Sequence, residues 1–356
     1  MRLVFYISGH GYGHAVRDIE IVKSLQKINK VEIHFRTKAP RWLFEPFLNE
    51  RFVYHDRELD FGVFQKNSFY VDKKMTFERY ADLIAGKEKL VAEEVAFLKR
   101  VEPDIILSDI TPFAFDAADI FGKKAIAIGN FSWDWIYSAY LDEFPEYEWI
   151  VRDIRSSYAK AERLWRIPFY GDMTAFPNPQ DVPLIGRKAT KPAEHVRKEL
   201  GLSNDGTKSV LLGLRVTDLM DVNWQRVEKI PGLTFIAVSR DVPLKNYLHV
   251  REGRLPFENV LNACDAVISK PGYSMVSEVI TNQTPLVYVP RKDFAEEPVL
   301  IDGLNEFAVS EVLSQENFYA GNWQESFERL FAGKKSWNHI RIDGGDVIAR
   351  KIYEYA

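Results

Sequence analysis

The stretch Asp265–Leu300 reads DAVISKPGYSMVSEVITNQTPLVYVPRKDFAEEPVL. Ala266 to Ser269 is a short apolar run stopped by Pro271 and Gly272. Ser274 to Thr281 then continues at helical spacing, and Pro285 to Val289 is apolar and β-branched between two prolines. Strand, turn, helix and strand in that order predict a parallel α/β unit whose turn lies at the carboxyl edge of the sheet. The free N–H groups at the start of such a helix carry a partial positive charge suited to phosphate. Gly272 lets a ligand approach the backbone closely, and Ser274 is a candidate N-cap, without the full capping box because Ser277 stands where Glu or Gln would. Glu278, about one turn into the helix, is in reach of a ribose diol beside the phosphates. A packed βαβ unit that binds nothing is the other reading of the same pattern.

Outward from this stretch, 356 residues exceed one typical core and predict two domains. A net charge of −4 with 46% hydrophobic and 28% charged residues gives no reason to expect nucleic-acid binding. One cysteine, Cys264, excludes an intrachain disulfide; it reads as a small buried residue in a reducing compartment. The only apolar run near the N-terminus, Leu3 to Ile7, is too short for a signal peptide, and no segment approaches a membrane span. A cytoplasmic protein is the expectation.

Taken in order, Arg2 to Ile7 reads as a buried strand and Ala15 to Ile28 as a helix with Ile19, Val22, Leu25 and Ile28 toward the sheet. Between them, SGHGYGH (residues 8–14) is neither a Walker A loop nor the dinucleotide glycine motif. It sets His14 at the helix start, where a neutral imidazole can take a proton from a hydroxyl. His10 reads chiefly as a turn-bonding residue. Arg17 and Asp18 pair with each other or with a ligand. Val31 to Thr37 is a second strand, and Trp42, Leu43, Phe44, Phe47 and Leu48 form an apolar face that is core or, at most, a peripheral membrane contact. Phe52 to Tyr70 lacks periodicity, and Phe77 to Arg100 is helical.

Asp104 to Leu107 is a strand ending at Ser108 and Asp109. Asp109 orients an imidazole at the same sheet edge, or it caps the helix beginning near Pro112. After a strand at Lys124 to Gly129, the aromatics from Phe131 to Trp149 line an acceptor site or pack helices. Arg152 to Trp165 reads as a charged, solvated helix. Asn178 to Arg187 carries the chain into a second sheet, with strands at Val210–Leu212, Leu233–Val238, Ala266–Ser269 and Leu286–Val289. Arg215, at the end of the first of these, is a phosphate contact or a surface arginine.

The pattern DAVISKxGYxxxxE, followed by PLVYVPR and a polar pair, resembles the nucleotide-sugar-binding region of GT-B glycosyltransferases. UDP-glycosyltransferases and the N-acetylglucosaminyltransferase of peptidoglycan synthesis are similar to it. The loop GHGYGHAxR also resembles the glycosyltransferase-like region fused to some sugar kinases. The resemblance spans most of the chain. It implies two Rossmann-like α/β domains facing across a cleft, residues 1–183 binding the acceptor and 184–338 the donor, with a helix in 339–356 returning to the first domain. It implies an inverting transferase that moves a sugar from a UDP-sugar to an unknown acceptor hydroxyl, with no metal and no other cofactor. In it His14 is the base and Asp109 its partner. Gly13, Arg215, Gly272, Tyr273, Ser274 and Met275 belong to the donor site, the segment at Leu255 reads the uracil, and Glu278 holds the ribose. Glu296 and Glu297 replace the Asp-Gln or Gln-Gln pair that holds the donor sugar in those families. An epimerase or phosphorylase of the same fold, or a non-enzymatic sugar-nucleotide sensor, would share the phosphate site.

Overall fold

The computed structural model describes all residues except 29–30, 46–50, 203–204, 240, 252, 334–335 and 356. Phe47 and Leu48 therefore lie outside the described residues. The chain divides into two compact units: residues 1–64, 71–185 and 341–356 form the first, and 65–70 with 186–340 the second.

The first unit contains strands β1 (Arg2–Ile7), β2 (Glu32–Thr37), β3 (Phe52–Asp56), β4 (Ile105–Asp109), β5 (Ala125–Gly129), β6 (Arg163–Arg166) and β7 (Pro179–Asp181). They form one parallel sheet in the order β3-β2-β1-β4-β5-β6-β7. Near-continuous burial of β1, β4 and β5 is what a parallel sheet covered on both faces requires. Helices α1 (Gly13–Ile28), α2 (Lys73–Ala85), α3 (Lys87–Val101), α4 (Pro112–Phe121), α5 (Trp133–Ser138) and α6 (Glu148–Tyr158) make the crossovers. Strand order reverses between β1 and β4, so the crevice at the carboxyl ends of these two strands is the ligand position such a sheet offers.

Several local expectations change. The helix expected over 77–100 is two helices, α2 capped by the Asp72 carboxylate accepting from the Met75 N–H at 3.0 Å, and α3 starting after Gly86. The solvated helix expected over 152–165 is α6, which buries Ile150, Val151 and Ile154 and gives way to β6. Ile28, expected toward the sheet, is the last residue of α1 and is 50% exposed.

The second unit repeats the arrangement with β8 (Lys208–Leu212), β9 (Leu233–Ala237), β10 (Leu248–His249), β11 (Ala266–Ser269), β12 (Leu286–Tyr288) and β13 (Ser310–Val312). The order is β10-β9-β8-β11-β12-β13, all parallel, with the reversal between β8 and β11. Its helices are α7 (Ala193–Leu200), α8 (Val216–Leu219), α9 (Trp224–Val227), α10 (Phe257–Ala263), α11 (Tyr273–Asn282), α12 (Glu297–Phe307), α13 (Gln315–Ala320) and α14 (Gln324–Ala332). Val210, Leu212, Phe235, Ile268, Val287 and Trp323 centre its core, and Phe69 from the inserted 65–70 segment joins them. The last helix, α15 (Gly344–Tyr355), belongs to the first unit and packs on α1.

Candidate functional site

In the first unit the reversal point holds a hydrogen-bonded cluster. β1 delivers the glycine loop that ends in α1, and Ile7 pairs in register with Asp109, so the two strand ends lie side by side. Gly11 takes a left-handed backbone (φ 69°) that favours glycine, which lets the loop turn into α1 at Gly13 with His14 as its second residue. His14 Nδ1 lies 2.9 Å from Asp109 Oδ1, with both side chains buried. An Arg17 terminal nitrogen also lies 3.0 Å from Nδ1. In the tautomer whose Nδ1–H donates to Asp109, Nε2 is the nitrogen able to take a proton. Thr111, not Asp109, is the N-cap residue of α4, so the capping alternative falls away.

Arg17 completes this cluster. Its Nε donates to Asp109 Oδ2 at 2.6 Å, one terminal nitrogen bonds Asp109 Oδ1, and the other donates to Asn130 Oδ1 at 2.9 Å. Burial pushes the Asp109 carboxyl up, but Arg17 and then His14 outweigh it and hold the group down to about 2. Arg17 does not pair with Asp18. Both Asp18 carboxyl oxygens are buried without a hydrogen-bond partner, and burial, with Asp109 nearby, raises this acid well above the usual carboxylate range.

Asp60 is a member that the sequence did not reveal, because it lies in the aperiodic 52–70 stretch. It accepts from the Gly9 N–H at 3.3 Å, from Trp133 Nε1 at 3.1 Å and from the Thr111 hydroxyl at 3.5 Å. Burial raises it to about 6, against the opposing pull of Ser8, His14 and Trp133. His10 packs edge-on against Trp133 at 5.4 Å, as a loop-fixing residue would. The aromatics Phe131, Trp133, Tyr137 and Tyr140 are buried, so they pack the unit and do not line an open surface. Trp149, at the end of the same stretch, is exposed, and in the glycine loop the 54% exposed Tyr12 meets the 47% exposed Trp42 edge-on at 5.7 Å.

In the second unit the reversal point gathers Lys270, Arg215 and Arg291 with the carboxylates Asp218, Glu296 and Glu297. Gly272, not Ser274, is the N-cap of α11, and no side chain caps that helix. Ser274 is instead the second helical residue, with its hydroxyl oxygen buried and unpartnered. Gly272 has ordinary extended angles (φ −89°, ψ 154°), so backbone strain does not demand glycine there. Tyr273 is buried, and Met275 covers Gly213, where a Cβ would stand 2.9 Å from the Met275 methyl. Arg215 follows β8 and precedes α8, and its exposed guanidinium makes no ion pair among the described residues.

Lys270, within the stretch that decided the fold yet unnamed as a site residue, directly follows β11. Burial lowers its ammonium to about 7, and Arg291 and Arg215 push the same way.

The carboxylates are more committed than the resemblance implies. Glu278 is buried and accepts from Arg187 Nε at 2.6 Å, so a ribose would have to share it. Glu297 accepts from Arg291 Nε at 2.6 Å and from the Arg291 backbone N–H, which spends it on holding Arg291. Burial still raises Glu297 above its ordinary value. Glu296, the N-cap of α12, stands 3.9 Å from an Arg291 terminal nitrogen. Arg291 also donates to the Pro271 carbonyl at 3.3 Å and so buttresses the turn before α11. Leu255 is buried ahead of α10.

No family model matches the chain. The L-arabinokinase of Arabidopsis thaliana is 29% identical over 371 residues, covering 99% of this chain and 34% of the kinase. The chain thus spans about a third of that relative's length. Among solved structures, glycosyltransferase VinC in complex with dTDP superposes with a TM-score of 0.61 at 15% identity, covering 100% of this chain and 95% of VinC. Phytolacca americana UGT2, complexed with UDP-2-fluoro-glucose and pterostilbene, gives 0.62 at 13% identity over 99% and 93% of the two chains. The spinosyn rhamnosyltransferase SpnG, complexed with thymidine diphosphate, gives 0.64 at 11% identity over 100% and 96%. The fold is GT-B. At such identity a GT-B likeness speaks for architecture, and the chemistry has to be argued from the side chains.

Proposed function

We propose that the protein is a glycosyltransferase that moves a sugar from a nucleoside diphosphate donor, UDP- or dTDP-linked, to an acceptor hydroxyl, with inversion at the anomeric carbon. The observation that carries this reading is the buried His14–Asp109 pair at the reversal point of the first sheet. His14 Nε2 takes the acceptor proton while Asp109, clamped by Arg17, holds the ring in the required tautomer. The acceptor oxygen forms its bond to the anomeric carbon as the bond from that carbon to the diphosphate oxygen breaks. The bonding electron pair leaves on the phosphate.

In the second unit the free N–H groups of α11, with Arg215 and Arg291 nearby, suit that charge, so the reaction needs no metal ion. The acceptor is a small molecule, a sugar or a lipid-linked sugar, and the free thiol of Cys264 supports a cytoplasmic setting. The UDP- and thymidine-linked ligands bound in the neighbouring structures support the donor class. The test is a panel of sugar nucleotides offered with an acceptor library and read by mass spectrometry. A glycosylated product that disappears in His14→Ala supports the reading. Interconversion of the sugar nucleotide with no acceptor favours the epimerase, and turnover only with inorganic phosphate favours the phosphorylase.

A further inference from the structure

When His14 Nε2 takes the acceptor proton, its ring becomes a buried cation. Asp109 cannot neutralise that charge, because Arg17 already occupies it: Nε donates to one carboxylate oxygen at 2.6 Å and a terminal nitrogen bonds the other. The same guanidinium lies 3.0 Å from His14 Nδ1. Imidazolium, guanidinium and the Asp109 carboxylate together would leave a net positive charge shielded from water, which is unfavourable unless a further anion joins them.

Two other buried acids adjoin this group. Asp18 stands one turn of α1 beyond His14, with both oxygens unpartnered; burial, with Asp109 nearby, raises it well above the usual carboxylate range, so it stays neutral. Asp60 differs. It accepts from the Gly9 N–H at 3.3 Å and the Ser8 hydroxyl in the glycine loop, from the Thr111 hydroxyl at 3.5 Å before α4, and from the Trp133 indole N–H at 3.1 Å in α5. Donors from three segments suit an ionised carboxylate, which only accepts. None of them is a cation. Every other buried acid of the first unit except Asp18 is paired with one among the described residues: Glu94 with Arg36, Asp109 with Arg17, Asp116 with Lys160 and Asp134 with Arg155.

Trp133 joins Asp60 to the base. Its N–H donates to Asp60, and its ring stands 6.3 Å from the His14 ring. Burial raises the Asp60 carboxyl to about 6, and Ser8 and then His14 oppose that rise. The other titratable groups around Asp60 are Tyr80 of α2, Tyr137 of α5 and Tyr158 of α6, phenols that burial raises well above their ordinary value and so keeps uncharged.

We propose that Asp60 is a positioning residue acting through His14: its carboxylate is the counter-charge of the imidazolium formed during transfer, a task closed to Asp109 while Arg17 holds it. This rests on the transfer reading above and deepens it. The acceptor O–H bond breaks with its electron pair left on oxygen, that oxygen bonds the anomeric carbon as the bond to the diphosphate breaks, and the proton passes to His14 Nε2. Asp60 stays ionised throughout. The two carboxylates thus divide the work, Asp109 fixing the ring and Asp60 favouring its charged form.

The experiment follows the ring resonances of isotopically labelled histidines in the whole chain by NMR, from about pH 4.5 to 9, with His14 assigned from the spectrum of His14→Ala. In Asp60→Asn, His14 is expected to take up its proton about one pH unit lower than in wild type, a tenfold loss of basicity. The kcat of transfer should fall with it, and the KM for the donor should not change. Thr111→Val removes one hydrogen bond from Asp60 and keeps its charge, so His14 is expected to titrate there as in wild type. Should Asp60→Asn fail to fold, wild type decides the matter: the His14 resonance is expected to register a second ionisation, that of Asp60, at about pH 6.

An unchanged His14 midpoint in Asp60→Asn, an equal shift in Thr111→Val, or no second ionisation in wild type overturns the inference and leaves the transfer reading to the product assay. The expected shift in a protein that forms no glycosylated product overturns the transfer reading instead.

Discussion

His14 and Asp109 divide two effects that are often confused. His14→Ala removes the base from a pocket whose other members hold one another, so the protein is expected to fold while transfer falls by on the order of 10²–10⁴-fold. Product formation and thermal melting on the same preparation check this. Asp109→Asn is different, because it takes the anion from a buried guanidinium. It is expected to cost about 3–5 kcal/mol of stability as well as activity, measured by urea unfolding. Asp60 offers a pH signature. Its carboxyl is raised from an ordinary 3.8 to about 6, so the folded state binds the extra proton between those values. The associated stability is fully present below about pH 4 and is lost as pH rises through about 6, amounting to about 3 kcal/mol. Asp60→Asn is expected to lack this component, so unfolding free energies of wild type and variant should diverge between about pH 4 and 7; parallel curves would refute it.

At this scale the sequence was readable where a residue sat at a strand end next to a glycine turn, as His14 and Asp109 do. It was silent on Asp60, whose partners Gly9, Thr111 and Trp133 come from separate loops. Lys270 stood in plain view, but a lysine after a strand reads as a surface charge until burial and two neighbouring arginines are known.

At the scale of elements, glycines separate fold from ligand. Gly272→Ala meets only the Lys270 ammonium at 3.5 Å and has no left-handed backbone to strain. Its stability should stay within about 0.5 kcal/mol of wild type while nucleotide affinity drops, because the new methyl group occupies the approach to α11. Gly186→Ala would instead press its Cβ to 2.3 Å from the Thr281 hydroxyl and 2.7 Å from the Ser277 carbonyl. A cost of about 1–3 kcal/mol is expected, since a helix backbone cannot give way. Paired chemical-denaturation and binding curves check both. Central strands β1, β4, β8 and β11 were legible because each carries a buried apolar run, Leu3–Ile7, Ile105–Leu107, Val210–Leu212 and Ala266–Ile268. The short strands β6, β7, β10 and β13 were not, since two to four residues carry no periodicity. Ser274 misled as a cap because the turn holds Gly272 in extended conformation two residues earlier.

For the whole molecule, the two sheets share one design: each places its strand-order reversal beside a glycine-bearing turn, the first lined by His14 and Asp109, the second by Lys270 and Arg215. Among the described residues no helix is long and apolar enough to cross a membrane. Cys264 is buried, and burial with the adjacent Asp265 pushes its thiol up to about 12. The native chain should resist thiol-directed alkylation at neutral pH and react on unfolding. Transfer should survive EDTA, as the cations beside α11 are proposed to meet the charge of the leaving group; loss with EDTA and recovery with Mg²⁺ would count against it.

The central claim is that this chain binds a nucleoside diphosphate sugar. Its most direct test is thermal melting of wild type and His14→Ala against UDP-, dTDP-, GDP- and ADP-linked sugars. A ligand present at about 100 times its Kd adds about 2.7 kcal/mol and visibly raises Tm. At least one sugar nucleotide is expected to stabilise both proteins alike, since His14 serves the acceptor and not the donor. If no sugar nucleotide shifts the melting of wild type, the claim is wrong.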